Sequence, residues 1–123
     1  MTRVLVIEDD PMVGEWLEDL FTRSGFSVSL ATNGQDGLDQ HKATPADAVI
    51  TDMIMPEKEG VETIADFRRD YPDVPVIAIS GGGRTGPTEY LKTAELLGAA
   101  RVFDKPLDGE ALLAAVRELT PAS

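Results

Sequence analysis

The sequence contains four short apolar runs, rich in β-branched residues, and each run stops abruptly at polar or charged residues. The runs cover residues 4–7, 48–51, 76–79 and 102–103. Continuous runs of this length are typical of strands that are buried on both faces, as in a parallel sheet. In such sheets the carboxyl ends of the strands open into a common crevice where ligands bind. The residues that follow the runs are therefore expected to converge at one edge of the sheet.

Helical patterns alternate with the strand patterns along the chain. Five helices are predicted. The first follows Asp10, the second lies around residues 38–42, the third carries Val61 and Ile64, the fourth covers about residues 88–97, and the fifth follows Asp108. Residues 27–30 alternate polar and apolar side chains, which suits a half-exposed edge strand. Five strand–helix repeats with right-handed crossovers predict an α/β fold: a doubly wound, five-stranded parallel sheet in strand order 2-1-3-4-5, with helices on both faces.

Length, charge and composition limit the functional classes. The 123 residues predict one domain over residues 1–123, with no output domain attached. A net charge of −11 disfavours binding to nucleic acid or to an anionic membrane surface. The chain has no cysteine, which excludes disulfides and fits a cytoplasmic location. The apolar runs are too short for a signal peptide or a membrane span.

Acidic residues end both strands that flank the point where the predicted strand order reverses. Glu8 and Asp9 follow the first strand, and Asp52 ends the third. Three clustered carboxylates repel one another unless a cation neutralises them, and oxygen ligands without histidine or cysteine favour Mg²⁺. Mg²⁺ commonly bridges carboxylate and phosphoryl oxygens, which leaves one carboxylate as a nucleophile. Ser80 and Lys105 would donate to the other phosphoryl oxygens.

Four motifs together resemble the receiver domain of bacterial two-component response regulators, in particular the stand-alone receivers of the chemotaxis-regulator type. The motifs are VIEDDP at residues 6–11, TDMIMP at 51–56, ISG at 79–81 and KP at 105–106. Each motif is weak alone, but all four occur in order at predicted strand ends. The resemblance covers essentially the whole chain and implies a flavodoxin-like receiver fold.

The resemblance also implies a role for each candidate site residue. The implied roles are Asp52 as phosphoacceptor, Glu8, Asp9, Asp52 and the backbone carbonyl of Ile54 as Mg²⁺ ligands, Ser80 as the switch hydroxyl, and Lys105 as the phosphate-binding lysine. The implied function is a phosphorelay module that accepts a phosphoryl group from a histidine kinase or histidine phosphotransfer protein. It catalyses its own phosphorylation and hydrolysis without being a turnover enzyme, and phosphorylation switches its binding to an unidentified downstream protein.

Other readings of the same residues stay open at this point. A haloacid-dehalogenase-type phosphatase also phosphorylates an aspartate, but such enzymes normally carry a second aspartate where this chain has Ile54. A phosphate-independent interaction module is a third reading. Residues 81–86 match a dinucleotide-binding G-x-G-x-x-G pattern, although they follow the fourth strand rather than the first. Val102 departs from the receiver pattern, which often has tyrosine or phenylalanine at that position, with Phe103 on the opposite face of the strand.

Several residues near the motifs have simpler interpretations. Asp10 is predicted to be a helix N-cap and not a metal ligand. His41 and Asp104 are expected at the surface. Trp16 has the spacing of a core residue, but Trp16 and Met12 could instead lie at the rim where receivers dock a kinase's helical domain.

Overall fold

The computed structural model describes residues 2–52, 59–80, 95–104 and 106–120, with only the backbone described at 59–61 and 80. Strands and helices alternate along the chain. The strands are β1 (Arg3–Ile7), β2 (Ser27–Ala31), β3 (Ala48–Asp52), β4 (Val76–Ser80) and β5 (Arg101–Asp104). The helices are α1 (Pro11–Arg23), α2 (Gly34–Ala43), α3 (Glu59–Asp70) and α4 (Gly109–Leu119). Of the helix predicted over about residues 88–97, only 95–97 lie among the described residues; 95 and 96 are helical, and Gly98 follows with φ 101°.

The five strands pair in parallel in the order β2-β1-β3-β4-β5, which confirms the predicted sheet. β3 is the middle strand, and all five of its residues are buried. β2 lies at one edge and is mostly half-buried, as its alternating sequence predicts. The strand order reverses between β1 and β3, so the crevice predicted from the sequence opens at their carboxyl ends.

Alternate residues of each strand face two separate apolar layers, because successive side chains of a strand point to opposite faces. Val4 and Val6 of β1 belong to one buried cluster, and Leu5 and Ile7 belong to the other. The first cluster includes residues of α1 and α4, such as Leu17, Phe21, Leu112 and Val116. The second includes Ile64 and Phe67 of α3. The helices therefore cover both faces of the sheet, as a doubly wound fold requires.

Among the helix starts that the structure describes, three have a side-chain N-cap. Asp10 accepts from the Met12 N–H at 2.9 Å, and Asp108 accepts from the Ala111 N–H at 3.2 Å. Asn33 accepts from the Asp36 N–H at 2.8 Å. That cap starts α2 earlier than the sequence interpretation around residues 38–42 placed it. The N-cap prediction for Asp10 is confirmed.

His41 is buried, so the prediction that it lies at the surface is wrong. Only 3% of His41 is exposed. Its Nδ1 accepts a hydrogen bond from the Ala46 N–H at 3.0 Å, and its ring meets Tyr71 and Phe67 edge-on, with centroids 4.4 and 5.3 Å away. The fully buried residues of α2 are two glycines and His41, and its one leucine, Leu38, is half-buried, so the sequence pattern of this helix looks exposed.

Among the residues that the structure describes, no helix is long and apolar enough to cross a membrane.

Candidate metal-binding site

The site is built where β1 and β3 end side by side. Ile7 pairs with Thr51 in the parallel register, so the next residues, Glu8 and Asp52, lie at the same level at the carboxyl ends of the two strands. One carboxylate oxygen each from Glu8, Asp9 and Asp52 lies within 4.8 Å of the others. The three acids that the sequence predicts at this edge therefore do come together.

The three carboxylates differ in their exposure. Glu8 and Asp52 are only 2% and 3% exposed, whereas Asp9 is exposed to solvent. Burying a carboxylate is costly unless hydrogen bonds or a positive charge compensate it. Glu8 obtains one such bond, because its Oε2 accepts from the backbone N–H of Asp10 at 3.3 Å. The cluster thus concentrates negative charge at a point that remains open to solvent on the side of Asp9.

The donor set fits a hard divalent cation. All three side chains offer carboxylate oxygens, which Mg²⁺ prefers over nitrogen or sulfur ligands. The oxygens lie within 4.8 Å of one another. Ligand oxygens on opposite sides of an octahedral Mg²⁺ are about 4.2 Å apart, so small side-chain movements would bring these oxygens into its coordination shell. The residues present therefore suit Mg²⁺.

The other predicted site residues are described in part or not at all. Ser80 is the last residue of β4, and its backbone lies opposite Asp104 of β5. Its neighbour Ile79 lies opposite Asp52, so Ser80 follows at the same edge of the sheet as the acids. The side chain of Ser80 is outside the described part of the structure. Ile54, Lys105 and the glycine-rich residues 81–86 also lie outside the described residues.

An apolar groove lies beside α1, the helix that follows the acids. Met12 is 79% and Trp16 43% exposed, and both line the groove together with Val13, Pro106 and Leu107. The groove has a volume of about 380 Å³. The sequence left open whether Trp16 packs in the core or lies with Met12 at the rim near the site, and the structure places both side chains at the surface. The sequence predicted only Met12 and Trp16 at this surface, because residues 106–107 belong to a segment that is distant in the chain.

Val102, the residue of β5 that departs from the receiver pattern, lies on the opposite face of the strand from Phe103, as the sequence predicts. Val102 packs against the apolar cluster that contains Leu5 and Ile7, whereas Phe103 packs against the opposite cluster. Asp104 is exposed, as expected. No aromatic side chain therefore occupies the face of β5 on which Val102 lies in the described strand.

A comparison with protein families decides between the receiver and the dehalogenase interpretations of the sequence. The family model of the response regulator receiver domain matches residues 4–117. The chain belongs to this family. Receiver domains are signalling domains of two-component systems, in which response regulators act with histidine kinases, and they are not turnover enzymes of the dehalogenase type.

Curated relatives and solved structures agree with the family match. The chain is 32% identical over 122 residues to the transcriptional regulatory protein DltR of Streptococcus agalactiae, which covers 98% of this chain and 53% of the relative. It is 33% identical over 120 residues to the response regulator ArlR of Staphylococcus aureus, with 97% and 52% covered. The chain thus spans about half the length of the curated relatives it matches. A receiver domain from Clostridium thermocellum superposes with a TM-score of 0.87 at 26% identity, covering 97% of this chain and 94% of that one.

Proposed function

We propose that this receiver accepts a phosphoryl group on Asp52 with Mg²⁺ held beside it, and that phosphorylation switches partner binding. The observation that carries the proposal is the convergence of Glu8, Asp9 and Asp52, with carboxylate oxygens within 4.8 Å at the ends of β1 and β3. Asp52 is the natural nucleophile of the three because it ends the middle strand. Glu8 already accepts a hydrogen bond from Asp10, and Asp9 faces solvent.

The phosphoryl transfer is a nucleophilic displacement at phosphorus. An Asp52 carboxylate oxygen attacks the phosphorus of a phosphohistidine donor, a P–O bond forms, and the P–N bond breaks. The imidazole of the donor leaves and takes up a proton from solvent. Attack of water on the phosphoryl-aspartate later returns the carboxylate and releases inorganic phosphate. The domain thereby catalyses its own phosphorylation and dephosphorylation.

Glu8, Asp9, Asp52 and the backbone carbonyl of Ile54 would hold the Mg²⁺. When bound, the cation supplies positive charge that offsets the crowded carboxylates and phosphoryl oxygens. Glu8 and Asp9 then act as holding ligands, while one oxygen of Asp52 remains available for phosphorus. This division of roles fits the burial pattern, since the exposed Asp9 leaves an approach for solvent and donor.

The phosphate is proposed to be sensed by Ser80 and Lys105. The strand register supports this, because Asp52 lies opposite Ile79, and Ser80 lies opposite Asp104. Ser80 therefore follows the level of Asp52 by one position on β4, and Lys105 is the residue that follows Asp104 in the sequence. A hydroxyl and an ammonium drawn toward the new charge would shift the conformations of the segments that follow β4 and β5.

The donor is proposed to be a histidine kinase or histidine phosphotransfer protein that docks at the groove of Met12 and Trp16. The groove begins two residues after Asp10, at the start of α1, and its lining is apolar. A helical domain with an apolar stripe would cover it and bring its phosphohistidine toward Asp52. A protein partner in the cytoplasm is proposed also for the output, since the net charge of −11 opposes direct contact of this domain with nucleic acid.

The test is intact-mass spectrometry after incubation with acetyl phosphate and Mg²⁺. Wild type is expected to gain one phosphoryl adduct, and EDTA should prevent the gain. Asp52→Asn should gain none, because the amide is not a nucleophile for phosphorus. Asp73→Asn is the matched control, since it removes an exposed carboxylate just before the amino end of β4, at the opposite edge of the sheet. An Asp52→Asn protein that is phosphorylated at the wild-type rate contradicts the proposal.

A further inference from the structure

Asp10 lies between the acid cluster and α1 and is hydrogen-bonded to both. Its backbone N–H donates to Glu8 Oε2 at 3.3 Å. Its side-chain Oδ1 accepts from the Met12 N–H at 2.9 Å, which makes it the N-cap of α1. The same residue therefore joins a buried carboxylate of the site to the first turn of the helix that carries Met12 and Trp16.

The cap fixes the direction in which the Asp10 N–H points. Asp10 has an extended backbone, with φ −81° and ψ 113°, as N-cap residues do when their side chain closes onto the helix. Without an acceptor side chain, residue 10 keeps the bond that its carbonyl accepts from the Gly14 N–H at 2.9 Å, but it loses the side-chain bond that fixes its backbone angles, so its own N–H can turn from Glu8. Glu8 would then lose the hydrogen bond from the Asp10 N–H.

A held carboxylate is a better cation ligand than one that must first be oriented. The Asp10 N–H donates to Oε2 of Glu8, and the same carboxylate contributes one oxygen to the acid cluster. Hydrogen-bond partners behind a ligating group typically change metal affinity about 10–100-fold when they are removed. Asp10 is thus placed to influence the cation without touching it.

We propose that Asp10 is a positioning residue for the cation site and acts by capping α1, not by its charge. This inference rests on the proposed Mg²⁺ site at Glu8, Asp9 and Asp52. A reciprocal effect follows: a cation that holds Glu8 in place also holds the Asp10 backbone, and so stabilises the first turn of α1. Cation binding and the shape of the groove at Met12 and Trp16 are then coupled.

Three substitutions separate capping from charge. Asp10→Asn and Asp10→Ser remove the charge but keep a side-chain acceptor that caps well, whereas Asp10→Ala removes both. If capping matters, only the alanine variant is weakened. If the charge matters, all three are weakened alike. Asp10→Gly provides a second uncapped variant, since glycine at an N-cap costs only a few tenths of a kcal/mol relative to a capping residue and keeps the helix intact.

The measurement is Mg²⁺ affinity by isothermal titration calorimetry at about 0.15 M salt, where exposed charges are screened beyond about 8 Å. The fluorescence of Trp16 follows the same titration. Asp10→Ala and Asp10→Gly are expected to bind Mg²⁺ about tenfold more weakly than wild type, and Asp10→Asn and Asp10→Ser within about threefold of it. If the alanine and glycine variants bind Mg²⁺ with wild-type affinity, or if all four variants bind it equally weakly, the positioning role is overturned and the proposed Mg²⁺ site is unaffected. A wild type that binds no Mg²⁺ overturns the proposed site and this inference with it.

Discussion

Gly37 lies at the closest contact between α2 and the sheet, and Gly37→Ala tests whether that contact limits the fold. A Cβ on Gly37 would overlap Cδ1 of Ile7 and lie 2.8 Å from its Cγ1, which is closer than carbon atoms can approach. Ile7 has no exposed surface and belongs to the buried cluster beneath α2, so it has little room to move. We therefore expect Gly37→Ala to force α2 away from β1.

The size of the effect follows from two opposing terms. Alanine in a helix interior is favoured over glycine by about 0.5–1 kcal/mol. Overpacking a filled core costs about 1–3 kcal/mol. The expected net result is a loss of roughly 1 kcal/mol or more in the free energy of unfolding, which lowers Tm by about 3–5 °C in a chain of this size.

Gly14→Ala is the matched control, because Gly14 also lies inside a helix and is buried. Its added Cβ would meet Cδ1 of Leu30 at 3.2 Å, and Leu30 is half-buried with a terminal methyl that can turn aside. Here the gain in helix propensity should win, leaving stability equal to wild type or slightly higher. Both variants are compared with wild type by urea denaturation.

A double-mutant cycle identifies Ile7 as the cause. Ile7→Val removes Cδ1 and by itself costs about 0.5–1.5 kcal/mol. In the Gly37→Ala background the same change removes the overlapping atom, so it should cost less or become stabilising. The steric argument is refuted if Gly37→Ala is as stable as Gly14→Ala, or if Ile7→Val costs the same in both backgrounds.

Two further predictions concern pH and phosphate lifetime. Burial lowers the pKa of His41 from its usual 6.5, so the folded protein binds fewer protons at this side chain than the unfolded chain does. The free energy of unfolding should therefore decrease as the pH drops below about 6.5. His41→Asn keeps a side-chain acceptor for the Ala46 N–H but does not titrate. Urea denaturation between pH 5 and 8 should show that the stability of this variant depends less on pH than that of wild type. An equal pH dependence in the two proteins would refute the role of His41. Ile54 is predicted to hinder the water that hydrolyses the phosphoryl-aspartate, so Ile54→Asn should lose phosphate faster by intact mass. Equal lifetimes would remove that role.

The residue at position 102 affects which side chains can respond to phosphorylation of the site. The side chain at this position packs against the Leu5 and Ile7 cluster and is a valine, while the aromatic ring of Phe103 is on the other face of β5. A switch that depends on an inward-turning ring next to Ser80 would therefore need another aromatic residue. The proposed switch instead relies on Ser80, the last residue of β4, and on Lys105, the next residue in the sequence after β5.

The site geometry was largely predictable because it depends on strand order and strand ends. Once residues 4–7 and 48–51 are assigned to neighbouring parallel strands, Glu8 and Asp52 must emerge side by side, and the structure brings them within 4.8 Å together with Asp9. The hydrogen bond from the Asp10 N–H to Glu8 was not predictable. It depends on backbone angles at a single residue, which a sequence pattern does not specify.

The sequence by itself determined the sheet, its strand order and the edge at which the acids meet. Short apolar runs that alternate with helical patterns favour a parallel sheet covered by helices, and such a sheet opens a crevice at its carboxyl edge. Tertiary structure alone decided the burial of His41 and the exposure of Met12 and Trp16. Whether one side chain meets Phe67 and Tyr71 or faces solvent depends on which segments, distant in the chain, pack beside it. Local periodicity carries no information about those neighbours.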